Sequence, residues 1–249
     1  MRLARARLSE LQLALMMLTR LPAGQIVVVP AMGAAAWAFP LVGCLVGALS
    51  AAVLLAGLAL GVAPTMAAGL ALLAGVLATG GLHEDGLADV ADGFGGGRDR
   101  ARKLEIMRDS RIGSYGALAL VLSLGLRWQG LTILAAQSGE AAAMALLALG
   151  AASRAAVVLA LGVMPAAGND GLGKAAAEVD GLRAGFALAV GIGALLAIGA
   201  PFAVLAMAMA GLALGLLALR QIGGQSGDVL GALQQVSEIA GWVVLSALI

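Results

Sequence analysis

Residues 37–60 read WAFPLVGCLVGALSAAVLLAGLAL, a run without a single charged side chain. A helix needs about 20 apolar residues to cross a hydrocarbon core roughly 30 Å thick, and this stretch is long enough. Similar apolar runs recur at 64–82, 113–137, 140–163, 184–200, 202–219 and 229–249. They are continuous rather than alternating in polarity, which favours helices over a membrane β-barrel. The sequence thus predicts an all-α, polytopic helical membrane protein with about seven transmembrane spans.

The composition indicates the same class. Hydrophobic residues make up 61% of the 249 residues and charged residues 12%, with a mean hydropathy of +1.02. Soluble domains carry about 25% charged residues, so this surface must be covered by a lipid bilayer. No internal repeat or linker divides the sequence, and we expect one domain over residues 1–249. The net charge of +1 gives no reason to expect a nucleic-acid partner, and homo-oligomer formation stays open.

Positive charge indicates how the chain is oriented. Lys and Arg tend to mark the short loops that stay in the cytoplasm. Most of the charge lies in four segments, which are the N-terminal 30 residues, 83–112, 164–183 and 220–228. An even number of predicted spans separates each from the next, so all four fall on the cytoplasmic face of the inner membrane. The arginine-rich N-terminal segment is typical of an amphipathic helix lying at that interface.

Two arginines fall inside predicted spans. A charged side chain at mid-membrane is costly and usually faces the interior of a helix bundle. For Arg127 the alternative, a side chain that snorkels to the interface, is equally open. Arg154 follows Ser153 near the cytoplasmic half of its span, where it could contact a phosphate.

The acidic residues concentrate in one segment. Residues 79–116 read TGGLHEDGLADVADGFGGGRDRARKLEIMRDSRIGSYG. On a helix, Asp85, Asp89 and Asp92 share one face because they are spaced i, i+4 and i+7. Glu105 and Asp109 form a second i, i+4 pair. Glycines at 93 and 95–97 would break the helix between the two groups and let the chain reverse, so that the carboxylates face one another.

This arrangement suggests a metal site. Clustered carboxylates repel one another unless a cation lies among them. Mg²⁺ prefers oxygen ligands and bridges protein carboxylates to substrate phosphates. We therefore predict a catalytic, Mg²⁺-binding segment at 83–112. The alternative is a solvated acidic loop that is balanced by its own Lys and Arg side chains.

Neighbouring residues suit phosphate chemistry. Arg108, Ser110 and Arg111 could bind phosphate oxygens, which points to phosphoryl or nucleotidyl transfer. In GGQSGDVLGA (223–232), backbone N–H groups could meet an anion, and Gln225 and Asp228 could position a substrate. The only histidine, His83, is either a polar residue at the end of a span or a neighbour of the site.

These motifs resemble those of the cobalamin synthase family, the adenosylcobinamide-GDP ribazoletransferases. TGGLHEDGLAD (79–89), LEIMRDSRIGSYG (104–116) and GGQSGDVLGA (223–232) look like its three signatures. TRLP (19–22), FPLVG (39–43), Ser153-Arg154 and GLG (171–173) follow in the expected order. The similarity covers nearly the whole chain. One departure is Glu84, where the family often has an apolar residue; it lies about 100° from the Asp85 face and is a weaker candidate ligand.

The resemblance implies a magnesium-dependent reaction late in coenzyme B12 assembly. A ribose hydroxyl of α-ribazole, or of its 5′-phosphate, attacks the phosphate attached to cobinamide in adenosylcobinamide-GDP. GMP leaves, and adenosylcobalamin or its phosphate forms. We expect metal binding by Asp85, Asp89, Asp92 and Asp109, with Glu105 and Glu84 as weaker candidates. Either Asp109 or Asp92 would accept the proton, and the predicted substrate-binding residues are Arg108, Ser110, Arg111, Arg154, Gln225, Asp228 and His83.

Two other functions stay open. The acidic pattern is similar to that of CDP-alcohol phosphotransferases, although their Asp-Gly-x-x-Ala-Arg block is missing, because Asp89 follows Gly86-Leu87-Ala88. A small-molecule transporter would place ionisable groups near the midplane, often in two repeated halves. Here most of the charge lies in predicted loops, which makes a transporter the weaker alternative.

Overall fold

The computed structural model describes residues 2–168 and 179–248, and the side chains from Ala4 onward. The chain forms α1 (Arg2–Leu18), α2 (Met32–Ala35), α3 (Phe39–Ala59), α4 (Pro64–Thr79), α5 (Leu82–Gly96), α6 (Arg100–Met107), α7 (Ser114–Gln137), α8 (Gly139–Val163), α9 (Gly181–Ala197), α10 (Pro201–Ile222) and α11 (Gly227–Ala247). Within these ranges the only β-type pairing is an isolated bridge between Ala166 and Gln225. The predicted all-α class is confirmed, while the Gly-Leu-Gly at 171–173 lies outside the described residues.

Five helices are long and apolar enough to cross a membrane. They are α2 with α3, joined through a 3₁₀ turn (Ala36–Ala38), and then α7, α8, α10 and α11. The predicted spans at 64–82 and 184–200 correspond to the shorter helices α4 and α9, of 16 and 17 residues. The chain is therefore a multi-pass helical membrane protein, and the number of seven spans stays a prediction.

Helix α5 meets α4 at a sharp corner. The two helix axes form an angle of 87°, and Gly80 and Gly81 between them have φ angles of 68° and 72°. Side chains other than glycine rarely adopt this left-handed conformation, so the corner requires both residues. Because α5 has only 15 residues and carries four carboxylates, we do not count it among the spans.

Two local predictions about the acidic segment are wrong. Helix α5 continues through Gly93 and Gly95 and ends only at Gly96. A Cβ at Gly93 would lie 2.5 Å from Met107 Cγ, and one at Gly95 would lie 2.8 Å from the Tyr115 ring. These glycines therefore allow close packing instead of breaking the helix. Helix α6 ends at Met107, so Asp109 does not share a helical face with Glu105.

The polar segments contact one another. The Arg20 amide donates to the Ala78 carbonyl (2.7 Å), and Arg100 donates to the Ala167 carbonyl (2.7 Å). Lys103 donates to the Gln221 side chain at the end of α10. Parts of all four charged segments are thus tied to the region around α5 and α6, as the prediction of one charged face requires.

A buried polar network joins α5, α7, α8 and α11. The Arg127 guanidinium contacts Glu84 Oε1 at 2.9 Å and Glu238 Oε1 at 3.1 Å. Gln235 accepts a hydrogen bond from Arg127 (2.9 Å) and donates one to Glu84 (3.0 Å). Lipid offers no hydrogen bonds, so polar groups at this depth must satisfy one another. Arg127 therefore faces the bundle interior, and the snorkelling alternative is excluded.

This network gives a testable prediction about stability. Arg127→Met leaves Glu84 and Glu238 buried without their shared cation, and removal of one partner from a buried ion pair costs about 3–5 kcal/mol. We expect a lower thermal unfolding midpoint in detergent micelles. Arg102→Met is the matched control, because Arg102 pairs with Glu105 and both side chains are exposed, and such pairs contribute little to stability. Equal destabilisation by the two variants would contradict a stabilising role of the network.

Candidate active site

An open cavity of about 850 Å³ lies beside the acidic face of α5. Asp85 and Asp89 contribute carboxylates from α5, and Asp109 contributes one from the turn after α6. Arg108, Ser110 and Arg111 line the same cavity. With Glu84, which also lines the cavity, the structure brings together seven of the residues that the sequence predicted for the site. We call this space the acidic cavity.

A close helix crossing positions one more carboxylate. A Cβ on Gly86 would lie 2.8 Å from the Asp228 carbonyl oxygen, and one on Gly231 would lie 3.3 Å from His83 Cα. The absence of side chains at these two glycines lets α5 and α11 approach closely. Asp228 consequently lies near Asp85, and both line a second cavity next to the first.

Asp89 on α5 lies in an environment that raises its proton affinity. The pKa of Asp89 rises from 3.8 to about 7 because the side chain is partly buried, and because Asp85, Asp228 and Asp92 lie close to it. When the Asp89 carboxyl group ionises, its negative charge is partly removed from water and lies near other negative charges, which is unfavourable. A bound cation would relieve that repulsion, so the chemistry of these donors is suited to a divalent metal ion.

Asp109 lies in a different electrostatic setting. Its carboxylate accepts hydrogen bonds from the Arg111 amide (3.1 Å) and from the Arg111 side chain (2.6 Å). These bonds lower the pKa of Asp109 from 3.8 to about 2. The pair is largely exposed, and solvent screening makes such exposed pairs weak. Another ligand could therefore displace either partner at little cost.

Asp92 is directed away from the acidic cavity. Its two carboxylate oxygens accept hydrogen bonds from the backbone amides of Gly113 (2.7 Å) and Gly116 (2.9 Å). These amides lie at the beginning of α7, where N–H groups have no partner within the helix. Asp92 thus anchors the beginning of α7 to α5, and although it lies near Asp89 it does not line the acidic cavity.

Both glutamates that were predicted as weaker metal ligands are engaged elsewhere. Glu105 is exposed and forms an ion pair with Arg102 at 2.8 Å, outside the residues that line the acidic cavity. Glu84 borders the cavity, but its carboxylate is compensated by Arg127 and Gln235. Glu84 lies about 100° around the helix from Asp85, and its side chain is therefore directed toward Arg127 and Gln235.

Besides Asp228, three predicted substrate-binding residues lie outside the acidic cavity. Arg154 is buried, donates to the Gly150 carbonyl (3.1 Å) and borders a small internal space beside the buried network. His83 is buried between that space and the second cavity. Gln225 is buried, and its backbone pairs with Pro165 and Ala167. Direct contact of these three with a substrate stays untested.

A closed metal cage is not formed. Among the described residues, no three His, Cys, Asp or Glu side chains are grouped closely enough to hold a metal ion. Mg²⁺, however, usually keeps several water molecules and takes one or two carboxylates together with substrate phosphates. The i, i+4 pair of Asp85 and Asp89 is compatible with that mode of binding.

The sequence analysis missed several residues of this region. Arg20 lines the acidic cavity and packs over Gly80, whose Cβ would lie 2.5 Å from Arg20 Nε. The signal was present in TRLP (19–22), which carries an arginine just after an apolar stretch. Gln234, Gln235 and Glu238 of the buried network were also missed, because three polar residues within one apolar helix gave no known motif.

The raised pKa of Asp89 predicts a pH dependence of stability. Folding raises this pKa from 3.8 to about 7, so the folded state favours the protonated form. The contribution to stability is therefore present below the lower value and is lost as pH rises toward the higher one. We expect the thermal unfolding midpoint in EDTA to decline over this pH range, and Asp89→Asn to remove part of the decline.

Glu140→Gln serves as the control for this measurement. Glu140 is an exposed carboxylate at the beginning of α8, outside the lining of either cavity. Its variant should keep the pH dependence of the unmodified protein. A profile unchanged by Asp89→Asn would show that the α5 carboxylates do not interact as described.

Comparisons with known proteins show a family and several relatives. Residues 10–246 match the Cobalamin-5-phosphate synthase family. Relatives named adenosylcobinamide-GDP ribazoletransferase are 46% identical in Bradyrhizobium diazoefficiens (96% of this chain and 94% of the relative) and 50% identical in Mesorhizobium japonicum (86% and 83%). One from Shewanella pealeana is 45% identical over 84% and 83%. No solved structure matches. The chain belongs to the Cobalamin-5-phosphate synthase family.

Proposed function

We propose that this protein is an adenosylcobinamide-GDP ribazoletransferase that works late in coenzyme B12 assembly. It would join adenosylcobinamide-GDP to α-ribazole or its 5′-phosphate and release GMP. The relatives carry this name over most of the chain. The observation that carries the proposal is the acidic cavity, where two carboxylates of α5 face a turn containing two arginines. A diphosphate substrate needs arginines that bind its phosphate oxygens and carboxylates that hold its metal ion.

The arginines of the turn provide the phosphate-binding side. Guanidinium groups bind phosphate oxygens through two parallel hydrogen bonds, and Ser110 adds a hydroxyl. Arg111 currently pairs with Asp109, but that exposed pair is weak and a phosphate could replace the carboxylate. Arg108 is exposed on the same turn. Arg20 borders the cavity as well and would contribute a third positive charge.

The carboxylates of α5 provide the metal-binding side. We propose that Asp85 and Asp89 hold Mg²⁺, with the diphosphate and water as its remaining ligands. When bound, the ion neutralises charge on the phosphates and on the leaving GMP. Partial burial and repulsion from neighbouring carboxylates raise the pKa of Asp89, and both support this assignment because they mark a site that gains from a cation. Asp228 lies beside the pair and would contact a hydroxyl group of the substrate.

The reaction replaces the phosphoanhydride bond of the diphosphate by a phosphate ester bond. The ribose oxygen of the nucleoside forms a bond to the phosphorus attached to cobinamide. The bond between that phosphorus and the oxygen bridging to GMP breaks, and GMP leaves with the electron pair. The hydroxyl proton is released. Such a transfer depends mainly on positioning and on charge stabilisation, which an open cavity with fixed arginines and aspartates can supply.

The identity of the general base stays a prediction. Two observations weigh against the residues proposed for it from the sequence. Asp92 already accepts two backbone hydrogen bonds. The pKa of Asp109 is about 2, far from the value near neutrality that suits a general base.

We place the acidic cavity on the cytoplasmic side of the inner membrane. The support is the distribution of positive charge, because Arg98, Arg100, Arg102 and Lys103 lie next to the cavity-lining turn. Short loops rich in Lys and Arg are retained in the cytoplasm. Soluble substrates would then reach the cavity directly from that compartment.

The proposal predicts a specific assay result. Purified protein in lipid vesicles should release GMP from adenosylcobinamide-GDP only when α-ribazole and Mg²⁺ are both present. Asp89→Asn should lower the rate about 100-fold or more, comparable to the loss of a major electrostatic group in other active sites. Glu140→Gln removes an equal charge far from the cavity and should stay within about 2-fold.

Three outcomes would contradict this function. They are unchanged GMP release in EDTA, full activity of folded Asp89→Asn protein, and product formation from CDP-diacylglycerol in place of adenosylcobinamide-GDP. The third outcome would instead support the CDP-alcohol phosphotransferase alternative. Uptake of solute into sealed vesicles without chemical conversion would support a transporter.

A further inference from the structure

A second cavity of about 230 Å³ adjoins the acidic cavity. The two share the lining residues Met17, Leu82 and Asp85, so Asp85 lies at the border between them. Asp228 and Gly227 also line the second cavity, at the beginning of α11. A ligand that reaches from one cavity to the other would pass the carboxylates of Asp85 and Asp228.

The walls of the second cavity are mostly hydrocarbon and thioether. Side chains from five helices contribute to them, and these are Met17, Leu18, Met32, Phe39, Val157, Leu161 and Leu230. The polar lining residues are His83, Asp85 and Asp228. Methionine sulfur and phenylalanine make favourable contacts with a flat aromatic ring. We call this space the apolar cavity.

The size and lining of the apolar cavity determine which part of the proposed substrates it can bind. Pockets for drug-sized molecules occupy about 300–1,000 Å³, so this smaller space suits a fragment and excludes a corrinoid. A guanine ring presents several donors and acceptors along its edge, and the apolar wall would leave them without partners. A benzimidazole ring, the base of a ribazole nucleoside, has a single ring nitrogen as acceptor and otherwise an edge of carbon and hydrogen, so its penalty is smaller.

We propose that the apolar cavity binds the aromatic base of the incoming nucleoside, an inference that rests on the proposed function. The attached ribose then lies at the border, where Asp85 and Asp228 can accept hydrogen bonds from its hydroxyl groups. This placement directs the reactive hydroxyl toward the acidic cavity, which holds the diphosphate. The cavity thereby selects an apolar bicyclic base over a purine.

A cavity-filling variant tests the assignment. Val157→Phe, on α8, extends a ring into the apolar cavity and should raise KM for α-ribazole at least 10-fold, a loss typical of blocking one apolar contact region. KM for adenosylcobinamide-GDP should stay within about 2-fold. Leu159→Phe is the matched control, because Leu159 lies on the same helix but lines a different, membrane-exposed groove.

Unmodified protein provides a second test that does not depend on a variant folding. Free benzimidazole should inhibit GMP release competitively with α-ribazole and non-competitively with adenosylcobinamide-GDP, while free adenine should not inhibit at the same concentration. Competition with adenosylcobinamide-GDP would overturn the assignment. Unchanged kinetics of folded Val157→Phe protein would also overturn it.

A binding measurement separates this inference from the proposed reaction. Equilibrium dialysis with radiolabelled benzimidazole reads occupancy of the apolar cavity without turnover. Binding that Val157→Phe abolishes and Leu159→Phe preserves supports the cavity assignment even if no GMP is released, in which case the proposed function alone fails. Equal binding by both variants overturns the assignment even if the enzyme is active.

Discussion

The ion pairs of Arg127 with Glu84 and Glu238 are the constraint on which the rest of the structure depends. One guanidinium joins carboxylates from α5 and α11 inside an apolar bundle, where water is not available to solvate them. Each charge is tolerable only because the others are present. The network therefore fixes α5 against α7 and α11, although α5 is too short and too polar to be held by lipid.

This fixed position has a consequence on the other side of α5. With Glu84 directed into the network, the helical spacing turns Asp85 and Asp89 toward the acidic cavity. Gly86 and Gly231 allow α11 to approach closely enough to bring Asp228 beside them. The resulting repulsion between carboxylates destabilises the isolated protein, and it also creates a site that favours a cation. A structural network and a reactive face thus occupy adjoining sides of one short helix.

In the proposed reaction, the two cavities suit chemically different parts of the substrates. The acidic cavity offers charge and is open to water, which suits a diphosphate. The apolar cavity offers hydrocarbon and sulfur, which suits an uncharged ring. Asp85 borders both, so the border is where a nucleoside hydroxyl and a phosphate would meet. A membrane protein can have a charged cavity and an apolar cavity side by side because the interior of its helix bundle is itself apolar.

The sequence by itself determined the helical membrane class, the charged segments and most of the charged residues that line the acidic cavity. Those features follow from hydrophobic length and from i, i+4 spacing, which are properties of the local chain. Tertiary structure decided the rest. Asp92 anchors α7, Glu84 pairs with Arg127, and the glycines near 93–96 fit against Met107 and Tyr115. A carboxylate's role depends on which distant amide or guanidinium lies within hydrogen-bonding distance, and sequence spacing does not contain that distance.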